Sequence, residues 1–235
     1  YNEENIPATT ARLIENEKLF AKDVSFEYVM VDDGSKDATL EKLKDFKSQH
    51  PDKVKVVKLT GNFGSYNAIY AGLAQATGDC TVVISADLQD PPELIVKMHE
   101  YWSKGVKVVL ANREKRDDGF FTSLFAESYH RIIRKYALPN LPSGGFDFCL
   151  FDKQARENIL ENMETNTNSL FLLLWFKYDY VTIPYERSKR EVGKSMWTMT
   201  KKIKLFVDSF FSFSYAPIRL VSVIGIILSF VAGAY

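Results

Sequence analysis

The sequence has no excess of charge of either sign and very little cysteine. Its 235 residues include 30 basic and 30 acidic ones, so no overall field attracts a polyanion and nucleic-acid binding is not expected. The two cysteines, Cys80 and Cys149, lie in apolar surroundings, which predicts small core residues of a reduced compartment rather than a disulfide or metal framework. The sequence also lacks internal repeats, and its length allows one sizeable core with an appendage.

Strand and helix patterns alternate along most of the chain. Short apolar runs rich in β-branched residues occur at residues 26–31, 54–59, 82–84 and 106–111, with a further strand at 179–185. This alternation predicts an α/β fold, with a mixed, mostly parallel sheet and helices on both faces. Such a sheet normally has a strand before its first helix, and no strand pattern precedes residue 26, so we expect the chain to be cut at its N-terminus.

Two of the predicted strands end in clusters of acidic residues. The first leads into Asp32 and Asp33, and the third leads into Asp87, followed by Asp90. Ligands of open parallel sheets bind outside the carboxyl ends of the strands. Carboxylates gathered there repel one another unless a cation or a hydrogen-bond donor is bound. The pattern therefore predicts a site for phosphate and a metal ion. The alternative is an acidic turn in which Asp90 caps the following helix.

An ordered set of short motifs resembles the GT-A fold family 2 glycosyltransferases. The similarity is greatest to the branch that makes polyprenyl-phosphate sugars, which includes dolichol-phosphate mannose synthases and bactoprenol glucosyltransferases. Each motif is weakly specific, but together they span nearly the whole chain in the right order. They are the segments at residues 1–4, 31–35, 62–64, 78–79, 86–93, 145–148, 190–195, 211–214 and 217–219.

The resemblance implies a site for a nucleotide diphosphate sugar, linked to UDP or GDP. Tyr1 and Glu3 match residues that line the base and ribose. Asp33 matches the acid that hydrogen-bonds the base, and Ala86 matches a position whose backbone contacts the ribose.

The resemblance also implies a bound Mg2+ or Mn2+. Asp87 matches the last acid of the Asp-x-Asp metal motif of the family, with Gln89 as a further ligand. The first acid of that motif is replaced by Ser85, which can bond a ribose oxygen or a metal-bound water but carries no charge. Oxygen ligands of this kind suit Mg2+, which keeps several waters and shares phosphate oxygens with its substrate.

Four further residues are predicted to act in catalysis together with Asp87. Arg113 directly follows a predicted strand and can reach the same sheet edge, where it would bind phosphate; a solvated surface turn is the alternative. Asp147 follows a glycine turn and is expected to face the acceptor; an Asx turn or cap is the alternative. Arg190 and Ser195 belong to a basic segment that we interpret as a lid over the diphosphate, the alternative being a mobile basic loop.

The C-terminal segment predicts attachment to a membrane. We divide the chain into a catalytic domain at 1–199, a juxtamembrane amphipathic helix at 200–217, and the start of a transmembrane helix at 218–235 that the sequence cuts short. The second part begins with lysines and continues with aromatic residues, an amphipathic pattern typical of interfacial helices, and no charge follows Arg219. Basic residues on the N-terminal side of the uncharged run place the catalytic domain in the cytoplasm. A C-terminal core helix is the alternative.

These features together indicate an inverting glycosyltransferase that moves a sugar onto a polyprenyl phosphate, either undecaprenyl or dolichyl. A phosphate acceptor needs cations rather than a base, since its second pKa is about 6. A hydroxyl of a growing polysaccharide is the alternative acceptor, and it would need a base, for which Asp147 is the candidate. A non-catalytic membrane protein that binds sugar nucleotides is the alternative from another class. The oligomeric state stays open, with a homo-oligomer among the options.

Overall fold

The structure is a computed structural model that describes residues 3–113, 120–164, 167–188 and 198–235. Its strands are β1 (Tyr28–Asp32), β2 (Val54–Lys58), β3 (Cys80–Val83), β4 (Val108–Arg113), β5 (Cys149–Asp152) and β6 (Tyr180–Tyr185). Its helices are α1 (Ile6–Asn16), α2 (Thr39–Gln49), α3 (Ser65–Leu73), α4 (Leu94–Ser103), α5 (Phe120–Tyr136), α6 (Lys153–Asn162), α7 (Phe171–Trp175), α8 (Met199–Phe213) and α9 (Ala216–Ala234).

The strands form a parallel pair and a mixed sheet of four. β1 pairs with β2 in parallel, and the larger sheet has the order β3-β5-β4-β6. Within it β5 is antiparallel to both of its neighbours, whereas β4 and β6 are parallel. Three of its four strands therefore run in one direction. The predicted α/β fold with a mixed sheet is confirmed.

Strand β4 explains why helices cover both faces of the larger sheet. Successive side chains of a strand point to opposite faces. Val108 and Leu110 join the core cluster formed with α5, α6 and α7, whereas Val109 and Ala111 join the cluster that contains Met98 of α4. A strand buried on both faces has a continuous apolar sequence, as residues 106–111 do. Free Cys149 is fully buried in the first cluster, and Cys80 packs against the second.

The last two helices differ in what they contact. In α8, Phe206 and Phe210 pack edge-on against Tyr129 and Tyr136 of α5. In α9, by contrast, none of the 19 residues is buried, and the mean hydropathy is 2.0. At 1.5 Å per residue α9 is roughly 28 Å long, close to the hydrocarbon thickness of a bilayer. Its length and composition are those of a membrane-crossing helix.

Candidate active site

The carboxyl ends of β1, β3 and β4 meet at one large cavity. Its volume is about 1850 Å3, and β1 and β3 line its walls. Asp32, Asp33, Asp87, Arg113 and Asp147 all line it. These residues come from four separate segments of the sequence, so the parallel arrangement of the strands gathers them at one edge.

Asp87 and Asp90 are joined by the hydroxyl of Ser85. Ser85 Oγ lies 2.7 Å from Asp87 Oδ1 and 2.6 Å from Asp90 Oδ2, and both carboxylates are buried, at 6% and 1% exposure. The hydroxyl has one proton and can donate to only one of them at a time. Ser85 Oγ and the carboxylate oxygen that does not receive the proton repel each other unless a cation lies nearby.

The cation nearest to this acidic pair in the described chain is Arg187. Its Nη2 lies 3.8 Å from Asp87 Oδ2 and its Nε lies 3.3 Å from Asp90 Oδ1. Among the described residues this guanidinium offsets part of the charge of the two carboxylates.

The alternative in which Asp90 caps the next helix is wrong. α4 begins at Leu94, its N-cap is Glu93, and no side chain caps it. Asp90 Oδ1 instead accepts a hydrogen bond of 2.6 Å from the hydroxyl of Tyr185. Residues 90–93 satisfy the local capping pattern. The carboxylate of Asp90 is nevertheless bound by the hydroxyls of Ser85 and Tyr185, which lie outside that pattern.

The turn after β3 is strained where it presents Gln89. Leu88 has a φ of 58°, a left-handed conformation that is costly for a residue with a side chain. This conformation lets the Gln89 N–H donate to Asp87 Oδ1 at 3.2 Å. The Gln89 amide also donates to the carbonyl of Ser188 at 3.1 Å. The turn is thus fixed from both sides. Gln89 lies beside Asp87, and its role as a metal ligand stays a prediction.

At the end of β1 the two acids have different partners. Both oxygens of Asp33 accept backbone N–H groups, from Phe63 at 2.7 Å and Gly64 at 2.9 Å. Asp32 is 1% exposed, and its Oδ1 accepts the N–H of Ser35 at 3.1 Å. Its Oδ2 has no hydrogen-bond partner within the described residues. Asp32 is therefore the acid with spare acceptor capacity, and sequence patterns alone did not distinguish it from Asp33.

Two other residues assigned to the nucleotide, Glu3 and Ala86, are bonded to neighbouring segments. Glu3 Oε2 accepts the N–H of Ala38 at 2.7 Å, just before α2. The carbonyl of Ala86 accepts a hydrogen bond of 3.2 Å from the hydroxyl of Thr9. Tyr1, Arg190 and Ser195 lie outside the described residues. The nucleotide contacts assigned to Glu3, Ala86 and Asp33 stay predictions.

Arg113 and Asp147 form a salt bridge at the cavity. Arg113 Nη2 lies 2.5 Å from Asp147 Oδ2, and the Arg113 side chain is the more buried partner, at 13% exposure against 56%. Burial by itself would lower the pKa of Arg113, but Asp147 and Tyr185 raise it above its usual range. Arg113 is thus a permanent cation at the sheet edge, and its remaining N–H groups can bind an anion.

The donor set suits a hard divalent metal ion. Asp87, Ser85 and Asp90 crowd three oxygens together with a single hydroxyl proton to separate them. The described residues contain no group of three or more His, Cys, Asp or Glu placed to hold a metal. A metal here would therefore complete its coordination with substrate phosphate oxygens and water, as Mg2+ does.

Two residues of this site, Tyr185 and Arg187, were not identified from the sequence. Tyr185 ends an apolar strand, and Arg187 lies shortly before Arg190, with no sequence pattern of its own. One signal is available in retrospect: β6 pairs with β4 so that Tyr185 lies opposite Arg113. Pairing in that register brings the residues after Tyr185 to the same sheet edge.

Comparison with known proteins agrees with this geometry. Residues 1–160 match the family model described as glycosyl transferase family 2. An uncharacterized glycosyltransferase of Bacillus subtilis is 34% identical over 97% of this chain and 71% of its own length. A prophage bactoprenol glucosyl transferase homolog of Escherichia coli is also 34% identical, over 99% of this chain and 76% of its own.

Solved structures show the same fold at low sequence identity. Glucosyl-3-phosphoglycerate synthase from Mycobacterium tuberculosis, in complex with Mn2+, UDP-glucose and phosphoglyceric acid, superimposes with a TM-score of 0.56. The match has 16% identity and covers 86% of this chain and 75% of the other. This similarity supports the fold assignment alone.

Proposed function

This chain belongs to glycosyl transferase family 2, and we propose that it transfers a sugar from a nucleotide diphosphate sugar to a polyprenyl phosphate at a membrane. It is a glycosyltransferase by family. Relatives named bactoprenol glucosyl transferases match nearly its whole length at 33–34% identity. This similarity supports a lipid phosphate as the acceptor.

The observation that carries the acceptor assignment is the pair of Arg113 and Asp147. An acceptor hydroxyl would need a base at this edge. Asp147 is the candidate base there, and in the structure its Oδ2 is bound by the guanidinium of Arg113. A phosphate acceptor arrives already charged and needs only a cation to place its oxygen opposite the leaving group. Arg113 provides that cation.

The reaction on this proposal is a single displacement with inversion. Asp87, with Gln89 beside it, would hold Mg2+ or Mn2+, which stabilises the charge on the leaving diphosphate as a Lewis acid. Arg113 positions the acceptor phosphate, and the basic segment with Arg190 and Ser195 covers the diphosphate. The nucleotide is bound by Tyr1, Glu3 and Ala86, and its base by one of the two acids after β1: Asp33 by the family resemblance, or Asp32, whose Oδ2 has no hydrogen-bond partner within the described residues.

A transfer assay separates these acceptors. Purified protein is given UDP- and GDP-linked sugars with polyprenyl phosphate, polyprenol or free sugar. We expect product on polyprenyl phosphate alone. Arg113→Ala should lower kcat/KM for the lipid by about 100-fold or more, through loss of a charge-assisted contact, whereas Asp147→Asn should keep measurable turnover.

Arg12→Ala is the matched control, because Arg12 pairs with Glu93 on the surface and its loss should not change the rate. Three results together would show that the acceptor is a hydroxyl: Asp147→Asn is inactive, Arg113→Ala has near-normal activity, and polyprenol is glycosylated. Absence of any transfer would favour the non-catalytic alternative.

Membrane association rests on α8 and α9. In α8, Ile203, Val207 and Phe211 recur every fourth residue and are exposed on the side away from the core. Such a face beside lysines suits the lipid interface. α9 follows directly as the segment apolar enough to enter the bilayer, with Arg219 near its N-terminal end. We propose that the catalytic domain faces the cytoplasm.

Deleting residues 215–235 tests the anchor without exposing the core. α9 has no buried residue, whereas Phe213 of α8 is buried in the main cluster, so a cut after Ser214 leaves the core intact. The shortened protein should require less detergent and float less with anionic vesicles than the 235-residue chain. Equal partition of the two would contradict anchoring by α9.

A further inference from the structure

A continuous chain of polar contacts joins the two halves of the site. It connects the residue proposed to bind the acceptor with the residue proposed to bind the metal. On the acceptor side, Arg113 Nη2 lies 2.5 Å from Asp147 Oδ2, and Arg113 Nε lies 3.4 Å from the Tyr185 hydroxyl. On the metal side, the Tyr185 hydroxyl lies 2.6 Å from Asp90 Oδ1. Ser85 Oγ then lies 2.6 Å from Asp90 Oδ2 and 2.7 Å from Asp87 Oδ1. Tyr185 stands in the middle of this chain.

The position of Tyr185 is fixed by its strand and its ring. It is the last residue of β6 and lies opposite Arg113 in the parallel ladder. Its side chain is 7% exposed, and its ring packs edge-on against Phe148 with centroids 6.1 Å apart. A ring held in this way leaves its hydroxyl little freedom to move.

The hydroxyl of Tyr185 has one arrangement that satisfies both neighbours. Asp90 is a carboxylate that can only accept, and Arg113 can only donate. The Tyr185 O–H therefore donates to Asp90, and its oxygen accepts from Arg113. Burial and the carboxylate of Asp90 raise the pKa of Tyr185 well above its usual value, so the hydroxyl stays protonated near neutral pH.

We infer that Tyr185 is a positioning residue that sets the distance between Arg113 and the Ser85–Asp87 pair. The inference rests on the proposed function, in which these groups hold the acceptor and the diphosphate. In-line displacement requires the acceptor oxygen to approach the sugar carbon on one line, and a displacement of about 1 Å can cost about 100-fold in rate. Tyr185 is not among the residues that line the cavity and acts through its two neighbours.

Tyr185→Phe tests the inference, since it removes the hydroxyl and keeps the packed ring. Tyr180→Phe is the matched control on the same strand, because the hydroxyl of Tyr180 donates to the carbonyl of Asn140. We expect kcat to fall by about 10- to 100-fold in Tyr185→Phe, with each KM changed less than about threefold. The control should keep wild-type kcat, and the two melting temperatures should agree. Equal kcat values for the two variants would overturn the inference.

A metal titration reads the same effect without turnover. Mn2+ binding in the presence of UDP, followed by the electron paramagnetic resonance of free Mn2+, should be about 3- to 10-fold weaker in Tyr185→Phe than in Tyr180→Phe, as expected when an outer partner of a ligand is removed. If the wild type transfers no sugar to polyprenyl phosphate, the proposed function fails and this titration still decides the inference. Equal Mn2+ affinities would then refute it.

A double-mutant cycle tests whether Tyr185 acts through Ser85. If the two belong to one chain, the loss of Mn2+ affinity in Ser85→Ala with Tyr185→Phe should be less than the product of the two single losses. Losses that multiply would show that the two hydroxyls act independently and would refute the connection through Asp90.

Discussion

The two acidic strand ends look alike in sequence and are built differently. After β1, the carboxylate of Asp33 is held by backbone N–H groups of residues 63 and 64. After β3, Asp87 and Asp90 are held by the Ser85 hydroxyl and by the guanidinium of Arg187. Backbone donors hold a carboxylate without neutralising it, so both ends keep negative charge. The ends differ in how their acids are arranged: after β1 each acid accepts its own backbone N–H groups, whereas after β3 two carboxylates share one hydroxyl proton, which suits a metal ion.

The comparison is tested most strongly at Asp87. Asp87→Asn should lower turnover by about 1000-fold or more, because several kcal/mol of metal-based stabilisation are lost, and removal of metal by EDTA should do the same. The variant should melt within a few degrees of the wild type. Asp45→Asn, on the exposed face of α2, is the control. Normal turnover of Asp87→Asn in EDTA would show that the second acidic end holds no essential metal.

The rigidity of the first acidic end is tested at Gly34. Gly34 has a φ of +65°, and an added Cβ would lie 2.6 Å from the backbone carbon of Gly61. Gly34→Ala should therefore lower the free energy of unfolding by about 2–4 kcal/mol. Gly105→Ala is the control, since Gly105 has a φ of +95° but nothing within 4 Å of its Cβ position. Equal losses in the two variants would mean that the loop of residues 61–64 yields freely.

The strands and the edge that carries the site were predictable, because both follow from local patterns and from one topological rule. Apolar runs located the strands, and the rule that ligands bind at the carboxyl ends of parallel strands gathered Asp87 and Arg113 in one cavity. β6 is an edge strand of the larger sheet, a position that suits Pro184, because proline cannot donate to a ladder.

What the sequence did not reveal is which partner each polar group takes. Asp90 fits a helix-capping pattern, yet its partners lie 5 and 95 residues away. Asp32 and Asp33 are adjacent and chemically identical, and only the packing of residues 61–64 separates their roles. Partner choice in these cases depends on tertiary distances, to which periodicity and capping rules do not refer.

The two acids after β1 can be distinguished by nucleotide binding. The spare oxygen of buried Asp32 can accept an N–H from a base, so Asp32→Asn should weaken UDP or GDP binding by about tenfold, the loss of one charge-assisted hydrogen bond. Asp33→Asn should mainly lower the melting temperature, because it loosens residues 63 and 64. Calorimetric titration with UDP, and with CDP, whose ring lacks the N–H, measures the difference. If Asp33→Asn alone weakens UDP binding, Asp33 is the base-binding acid, as the family resemblance implies.

The smallest expected effect is at Ser85. A carboxylate at this position would be the third at the acidic end of β3 and would increase the negative charge there. Ser85→Asp places a negative charge beside Asp87 and Asp90, within the 2.6–2.7 Å contacts that the hydroxyl now makes. Without metal this repulsion should lower the melting temperature by a few degrees, about 1 kcal/mol for a domain of this size. Mn2+ should restore it and raise the melting temperature of the variant more than that of the wild type, because the added charge strengthens cation binding. Ser48→Asp, on the surface of α2, should respond to neither condition. A melting temperature of Ser85→Asp that is insensitive to Mn2+ would show that no cation binds between these oxygens.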